Sequence, residues 1–243
     1  MASYWSAIRI LQQTAGELGL PQIPTITGLS DVQSVQLLSL LNAAGNELLM
    51  YYPWEQLANE WTFTTVENQT DYDLPTDYKY FTDQTQWDRT NRWPLLGPKS
   101  PQEWAWLKGS LVAALPRMRF RVQDDKFKLF PRPGATPFTM AMEYIKCNWL
   151  STTSGGVTTE TDMITQDGDT LFYDPWLLIK FVKFKFYELK GFDTTGVNAD
   201  FMRVFNSLTG KDTGAKILSL SPQIQTQYLG PWSVPDGSWN VYG

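Results

Sequence analysis

RMRFRVQDDKFKLFPRPG, residues 117–134, is the stretch that decides the fold expected for this chain. Basic and apolar residues alternate in it on both sides of a short polar turn. The basic residues are Arg117, Arg119, Arg121, Lys126 and Lys128, and the apolar ones are Met118, Phe120, Val122, Phe127 and Leu129. A period of two is typical of β-strands, and the turn is expected over residues 123–125. The pattern therefore predicts an antiparallel hairpin with one apolar and one basic face.

Further strand candidates lie on both sides of this hairpin. They are residues 61–66, 77–88 and 138–150, in which apolar and polar residues alternate or aromatic residues are frequent. Residues 151–170 are small, polar and rich in turn formers, which predicts a loop or a flexible hairpin. The middle of the chain is therefore expected to be β-rich.

Helical periodicity marks the regions before and after this β-rich part. The predicted helices are 3–18, 31–51, 175–190 and about 197–209. Ser30 is the expected N-cap of the second helix, and Gly191 is the expected stop of the third. The buried side of the second helix is predicted from its apolar positions, which are Val35, Leu38, Leu41, Leu48 and Leu49.

Together these elements predict an α+β fold. Residues 1–58 and 171–212 are expected to form one helical bundle from N-terminal and C-terminal helices. An antiparallel β-rich domain, residues 59–170, is inserted between them in the chain. Residues 213–243 are rich in proline, glycine and aromatic residues, and we expect them to form an extended arm, here named the C-terminal arm.

The composition excludes several kinds of catalytic site. The chain has no histidine, which removes the Ser-His and Cys-His nucleophile pairs and the commonest zinc ligand. Its one cysteine cannot form an internal disulfide, and its net charge of -5 does not favour wrapping nucleic acid. We therefore predict no catalytic, metal-binding or cofactor-binding residue, and a protein that is not an enzyme.

Three aspartates between the first strand candidates are the remaining candidates for a metal or acid–base site. Asp71, Asp73 and Asp77 lack the glycine that a calcium loop needs at its sharp turn, and Pro75 lies between them. Aspartate side chains also bind nearby backbone amides in turns. We expect these three residues to shape a turn.

Two basic surfaces are candidates for binding. The basic hairpin face consists of Arg117, Arg119, Arg121, Lys126 and Lys128, and the lysine stripe of the third helix consists of Lys180, Lys183, Tyr187 and Lys190. Like charges opposite one another destabilise a sheet, so the hairpin face favours an acidic partner, either phosphate or another subunit's carboxylates. The lysine stripe fits either a solvated helix face or the wall of a channel that carries DNA.

The C-terminal arm is a candidate protein-binding segment. Residues 214–243 contain only Lys216 and Asp236 as charged residues. The large apolar and aromatic residues expected to contact a partner or another subunit are Leu218, Ile224, Tyr228, Leu229, Trp232, Trp239 and Tyr242. An apolar extended segment of this kind needs a protein surface on which to lie. No stretch approaches the roughly 18–20 apolar residues needed to span a bilayer, so no membrane partner is predicted.

The order of motifs resembles that of a known family. Two helices precede a WTF strand at 61–63, a YDLPTDY turn at 72–78, and a run with Trp93, Pro98, Pro101 and Trp104. The basic hairpin ends in LFPRPG, EYIKCNWL follows, and two helices and an apolar arm complete the chain. This layout resembles the head-to-tail adaptor proteins of short-tailed bacteriophages, also called tail accessory factors or connector ring proteins, over most of residues 30–210.

The resemblance implies a structural role in the virion. About twelve identical subunits would form a ring under the portal protein, with helices side by side around the channel through which genomic DNA passes without sequence-specific binding. The β-rich part would meet the tail nozzle or tail fibre proteins, and the C-terminal arm would lie along the portal. The protein would be located at the head–tail junction after assembly in the host cytoplasm, with no cofactor.

Two alternatives remain at the level of the sequence. One is a carbohydrate-binding or carbohydrate-cleaving tail module, in which Trp87 and Trp93 stack on sugars and paired carboxylates act on them. The other is a DNA-binding head-completion protein, whose affinity for duplex DNA would fall steeply with salt. Neither alternative explains the apolar character of the C-terminal arm.

Overall fold

The computed structural model describes residues 4–109 and 117–212. The helices in this part are α1 (Ala7–Leu18), α2 (Val32–Tyr51), α3 (Pro101–Gly109), α4 (Pro175–Lys190) and α5 (Thr195–Asp212). The strands are β1 (Ala58–Thr64), β2 (Asp71–Asp73), β3 (Tyr78–Phe81), β4 (Trp87–Asp88), β5 (Trp93–Pro94), β6 (Arg119–Gln123), β7 (Lys126–Phe130), β8 (Thr139–Lys146), β9 (Leu150–Ser154), β10 (Val157–Thr161) and β11 (Thr170–Leu171). The predicted α+β class is confirmed. The C-terminal arm lies outside the described residues.

The described residues divide into two compact units. The helical unit contains residues 4–58 and 146–212, and the β unit contains residues 59–109 and 117–145. The sequence places residues 146–170 in the inserted β-rich domain, whereas their contacts are with the helices. The contacts therefore divide the chain at residue 146, whereas the predicted boundary is residue 170. The inserted domain over 59–170 stays a prediction.

Local capping chemistry defines the ends of the main helices. The Asp174 side chain accepts hydrogen bonds from the backbone amides of Trp176 and Leu177 at the start of α4, and Gly191 ends that helix in the left-handed conformation. Both ends agree with the prediction. At the start of α2 the cap is Asp31, which accepts from the Ser34 amide at 3.0 Å, so the prediction of Ser30 is wrong by one residue. Asp31 is favoured because its carboxylate faces the orphan amides of the first turn.

The buried side of α2 differs from the predicted one at two of the five predicted positions. Leu41, Leu48 and Leu49 are buried as expected. Val35 is 43% exposed, and Leu38 is half-buried while its neighbour Leu37 is buried. Gly45 lies on the buried side of α2, directly against the Trp149 ring. A Cβ atom added at this position would lie 2.5 Å from that ring. Because Gly45 has no side chain, the fully buried indole of Trp149 can pack against it. The buried face of α2 is therefore set by the position of Trp149 as well as by the apolar residues of the helix itself.

The helical unit includes a small sheet of order β10-β9-β11. Ser154 pairs with Val157, and the two glycines between them, Gly155 and Gly156, have φ values of 59° and 82°. Two central residues with positive φ form the turn that matches the twist of a tight hairpin. Both alternatives predicted for 151–170 are therefore present, because a hairpin forms up to Thr161 and residues 162–169 are a loop.

The β unit contains two antiparallel sheets. One has the order β1-β8-β4-β5 with β3 also paired to β8, and the other has the order β2-β7-β6. Its core combines Phe120 and Phe127 of the hairpin with Met140 and Met142 of β8. The strand predicted over 77–88 forms as two strands, β3 and β4.

The predicted hairpin forms, with a shorter turn than expected. Gln123 pairs with Lys126, so it belongs to β6 and leaves a two-residue turn. Asp124 and Asp125 have φ values of 56° and 54°. Positive φ at both central residues is the geometry of a type I′ turn, which aspartate tolerates better than most residues.

Candidate interaction surfaces

The basic hairpin face is partly neutralised by the neighbouring strand β2. The register places Asp71 opposite Lys128 and Asp73 opposite Lys126. Lys126 Nζ lies 3.1 Å from Asp73 Oδ1, and Lys128 Nζ lies 3.9 Å from Asp71 Oδ2. Lys128 also lies 3.4 Å from Asp124 Oδ2 in the turn. The prediction that Asp71 and Asp73 shape a turn is therefore wrong, because they are strand residues that provide counter-charges.

Asp77 has a different partner from the other two aspartates. The Tyr144 hydroxyl donates a hydrogen bond to Asp77 Oδ1 at 2.9 Å, and Asn59 Nδ2 donates to the same hydroxyl at 3.1 Å. Among residues 4–109 and 117–212, no group of His, Cys, Asp or Glu side chains is arranged to hold a metal ion. In the same residues, no helix combines the length and apolar character that crossing a bilayer requires.

The arginines of β6 are not neutralised in the same way. Neither Arg119 nor Arg121 forms an ion pair or a side-chain hydrogen bond within the described residues, and both side chains are half-buried. Arg119 Nη1 is buried without a hydrogen-bond partner there. Arg121 lies directly opposite Lys128, so like charges meet across the strands. The basic hairpin face therefore retains uncompensated positive charge on its β6 side.

The lysine stripe of α4 is held by a carboxylate of α1. Lys180 Nζ lies 3.0 Å from Glu17 Oε2, and Lys183 Nζ lies 3.4 Å from the same oxygen. Burial is the largest influence on the pKa of Glu17 and raises it, but the hydrogen bonds and charges of the two lysines together outweigh burial and lower the pKa. The carboxylate is therefore ionised and shared between the two lysines at neutral pH.

The other lysines of α4 have their own contacts. Lys185 Nζ binds Glu47 Oε1 of α2 at 2.6 Å, although its spacing from Glu188 also suits a pair within the helix. Lys190 Nζ lies 5.3 Å from the centre of the Phe186 ring, and the Tyr187 ring packs at 5.7 Å against Phe192. Orientation of the lysine stripe towards a channel stays a prediction.

An aromatic surface cluster on the helical unit is not predicted by the sequence. The Arg9 guanidinium lies 3.8 Å from the centre of the Trp5 ring, and the Trp5 and Trp176 rings are 5.9 Å apart. Trp176 is 46% exposed. The four-residue spacing of Trp5 and Arg9 is the local signal for this stack, but the approach of Trp176 requires the packing of α1 against α4. Tryptophan and arginine are the residue types most enriched in interface hot spots.

The two tryptophans of the carbohydrate hypothesis lie on neighbouring strands. Trp87 on β4 lines an open cleft of about 500 Å³, and Trp93 on β5 lines a smaller one of about 180 Å³. Asp88, between the two clefts, is buried, and its carboxylate accepts hydrogen bonds from the amides of Thr90 and Asn91. It therefore holds the turn that connects the two strands.

The comparison with known families decides the identity of the chain. The sequence model of the family described as SU10 adaptor protein matches residues 8–215. The chain belongs to this family. The match runs through both compact units, and the expected membership among phage head-to-tail adaptors is confirmed. No curated protein matches the chain. The adaptor is thus a structural protein of a bacteriophage, a component of the head–tail junction that associates with portal and tail proteins.

Proposed function

We propose that about twelve copies of this adaptor form a closed ring beneath the portal protein. The ring connects the portal to the tail nozzle or tail fibre proteins and surrounds the channel through which the genome passes. It assembles in the host cytoplasm and has no enzymatic role. The observation that carries this proposal is the family match over residues 8–215, because it includes the helical unit and the β unit together.

Exposed apolar side chains on the helical unit support the formation of subunit contacts. Met50 and Tyr51 at the end of α2, Leu189 and Phe192 around the end of α4, and Trp176 at its start are all exposed. Methionine and aromatic residues are enriched in protein interfaces relative to the remaining surface. Side-by-side packing of neighbouring helical units would remove such residues from water.

The charge of the lysine stripe supports passage of DNA without retention. Lys180 and Lys183 share Glu17, so two positive charges and one negative charge leave +1 at this position. Each cation that neutralises a phosphate strengthens nonspecific DNA binding, so a channel wall with few free cations holds DNA weakly. The same pairing argues against the DNA-binding head-completion alternative, which requires a strong local excess of positive charge.

The C-terminal arm is the proposed anchor on the portal. Its sequence supports this role, since residues 214–243 contain only two charged side chains among many apolar and aromatic ones. The residues proposed to contact the portal or a neighbouring subunit are Leu218, Ile224, Tyr228, Leu229, Trp232, Trp239 and Tyr242. Burial of large apolar side chains is the main favourable contribution in such an anchor.

Light scattering on the purified adaptor, alone and mixed with the portal ring of the same virus, tests the proposal. We expect the mass of the portal ring to rise by many adaptor copies, and we expect deletion of residues 214–243 to abolish the rise. A full-length variant with the seven anchor residues replaced by serine is the matched control for chain length. It should behave like the deletion. Absence of any mass increase with the intact chain would contradict the adaptor ring.

A further inference from the structure

The five-stranded sheet of the β unit has an open cleft of about 500 Å³ on one face. Its lining includes Glu60 on β1, Trp87 on β4, Arg89 and Arg92 in the turn after β4, and Ala141 and Glu143 on β8. Trp87 lies opposite Ala141 in the strand register, so both side chains are on the same face. The volume falls within the roughly 300–1,000 Å³ that is typical of small-ligand sites.

Trp87 provides a flat aromatic surface in this cleft. The residues of β8 on either side of Ala141, Met140 and Met142, face the core of the β unit, so Ala141 and Trp87 face away from it. The Trp87 residue is nevertheless 36% exposed to solvent. The small Ala141 side chain leaves the space beside the indole open. An indole left accessible in a concave site is a surface on which a ligand can stack.

The exposed side chains of the cleft carry equal numbers of positive and negative charges. Glu60 and Arg89 form an ion pair with each other. Glu143 and Arg92 form no ion pair within the described residues, so the cleft offers one further carboxylate and one further guanidinium. The two negative and two positive exposed side chains sum to zero, and the fifth charged residue of the lining, Asp88, brings the total to -1. The Asp88 carboxylate also borders the cleft, but it is buried and its hydrogen bonds are made to its own turn.

This combination selects a class of ligand. An anion would require an excess of cations. A cation would require an excess of exposed carboxylates around the indole, whereas the one surplus carboxylate, Asp88, is buried and bound to its own turn. A lipid or another apolar ligand would require an apolar lining, whereas only Trp87 and Ala141 are apolar here. A neutral polyhydroxylated ring fits best, because its C–H face can lie on the indole while its hydroxyls both donate to carboxylates and accept from guanidinium groups.

We propose that this cleft binds a saccharide unit of a neutral glycan, with Trp87 as the stacking platform. Glu143, Arg92 and the exposed Gln84 amide hydrogen-bond its hydroxyl groups. The proposed activity is binding alone, with no bond formed or broken. It goes beyond the adaptor role and does not depend on ring formation, because every residue that it uses belongs to the β unit of one chain.

Isothermal titration of the full chain with maltohexaose, cellohexaose and chitohexaose tests this proposal. We expect at least one of these probes to bind with a dissociation constant in the millimolar range, as suits a shallow open site. Trp87→Ala should weaken that binding by about tenfold or more. Trp106→Ala is the matched control, since Trp106 is 69% exposed on α3 and does not line the cleft.

Glu143→Gln provides a second variant that preserves the shape of the cleft. It should weaken saccharide binding by several-fold while the circular dichroism spectrum and thermal midpoint stay unchanged. Absence of binding by all three probes at about 10 mM, or unchanged binding by Trp87→Ala, would overturn the proposal. Loss of binding to a purified tail protein in Trp87→Ala, without any saccharide binding by the parent chain, would identify the cleft as a protein-docking site instead. The mass gained on the portal ring by Trp87→Ala should remain normal, which separates this test from that of the adaptor ring.

Discussion

Helix α4 and strand β6 both carry basic residues at regular spacing, but within the part of the chain that the structure describes only basic residues of the helix are paired with carboxylates. Lys180 and Lys183 share Glu17, which α1 brings from an early part of the chain. Arg119 and Arg121 have no such partner among the described residues. A regular basic pattern therefore identifies a charged face, while its availability to a partner depends on which carboxylates the fold brings to it.

The substitution with the largest expected effect disrupts the packing of the helical unit, to which α4 belongs. Gly45→Ala places a Cβ atom 2.5 Å from the buried Trp149 ring, and overpacking of this kind should lower the free energy of unfolding by about 3 kcal/mol. Hydrogen exchange should show lost protection in residues 4–58 and 146–212 and retained protection in the β unit. Denaturant unfolding measures the total effect.

Gly16→Ala is the control for the Gly45 substitution. Gly16 lies in α1, and an added Cβ atom there meets nothing within 4 Å. The substitution should raise the free energy of unfolding by about 0.5–1 kcal/mol, the gain expected from helix propensity. Equal effects of the two substitutions would show that Trp149 does not pack tightly against Gly45.

The second prediction removes the shared carboxylate of the lysine stripe. Glu17→Gln leaves Lys180 and Lys183 close together in a partly buried place, and it should lower the free energy of unfolding by about 1.5 kcal/mol. Urea titration at neutral pH measures the change. Glu188→Gln, at an exposed position of α4, should change stability by less than about 0.5 kcal/mol. A similar loss in both variants would contradict the role of Glu17.

The third prediction concerns how the stability that Glu17 contributes depends on pH. Burial raises the pKa of Glu17, but Lys180 and Lys183 together lower it from the ordinary value of 4.5. Ionised Glu17 therefore contributes stability that is present above that value and is lost as the pH falls through the lowered pKa. The stability difference between the parent chain and Glu17→Gln should be constant at neutral pH and should shrink as the pH falls below the ordinary value of 4.5. A difference that stays constant with pH would contradict the ion pairs.

The smallest expected effect is that of replacing an arginine of β6. Arg121→Gln should change the free energy of unfolding by less than about 0.5 kcal/mol, because no ion pair among residues 4–109 and 117–212 is lost. Asp73→Asn should have a similarly small effect, since the Asp73–Lys126 pair is exposed. A loss above about 1 kcal/mol for Arg121→Gln would show that the chain supplies a carboxylate to it, and the contrast with α4 would disappear.

Interactions between near neighbours in the chain are the ones that the sequence predicted well. Asp174 caps α4 and Gly191 ends it because both act on backbone groups within a few residues. The alternation in 117–130 likewise predicted the hairpin. The turn length was wrong by one residue because Gln123 is polar, and polarity does not distinguish a strand end from a turn.

Interactions between distant parts of the chain were not predictable in the same way. Asp71 and Asp73 look like turn residues until β2 is placed beside β7, and that pairing joins segments more than fifty residues apart. Val35 is exposed because the buried side of α2 is centred on Gly45, where Trp149 packs. The cleft at Trp87 depends on the approach of β1, β4 and β8, and no single segment contains its pattern.

The sequence by itself determined the α+β class, the ends of α4, the hairpin of β6 and β7, and the resemblance to phage adaptors. Each of these depends on local periodicity, capping or motif order. Only the tertiary structure decided which basic residues have counter-charges and which side of α2 is buried. It also placed an accessible indole among exposed side chains whose charges cancel. The reason is physical: ion pairs, clefts and close packing are made by residues that folding brings together from separate parts of the chain.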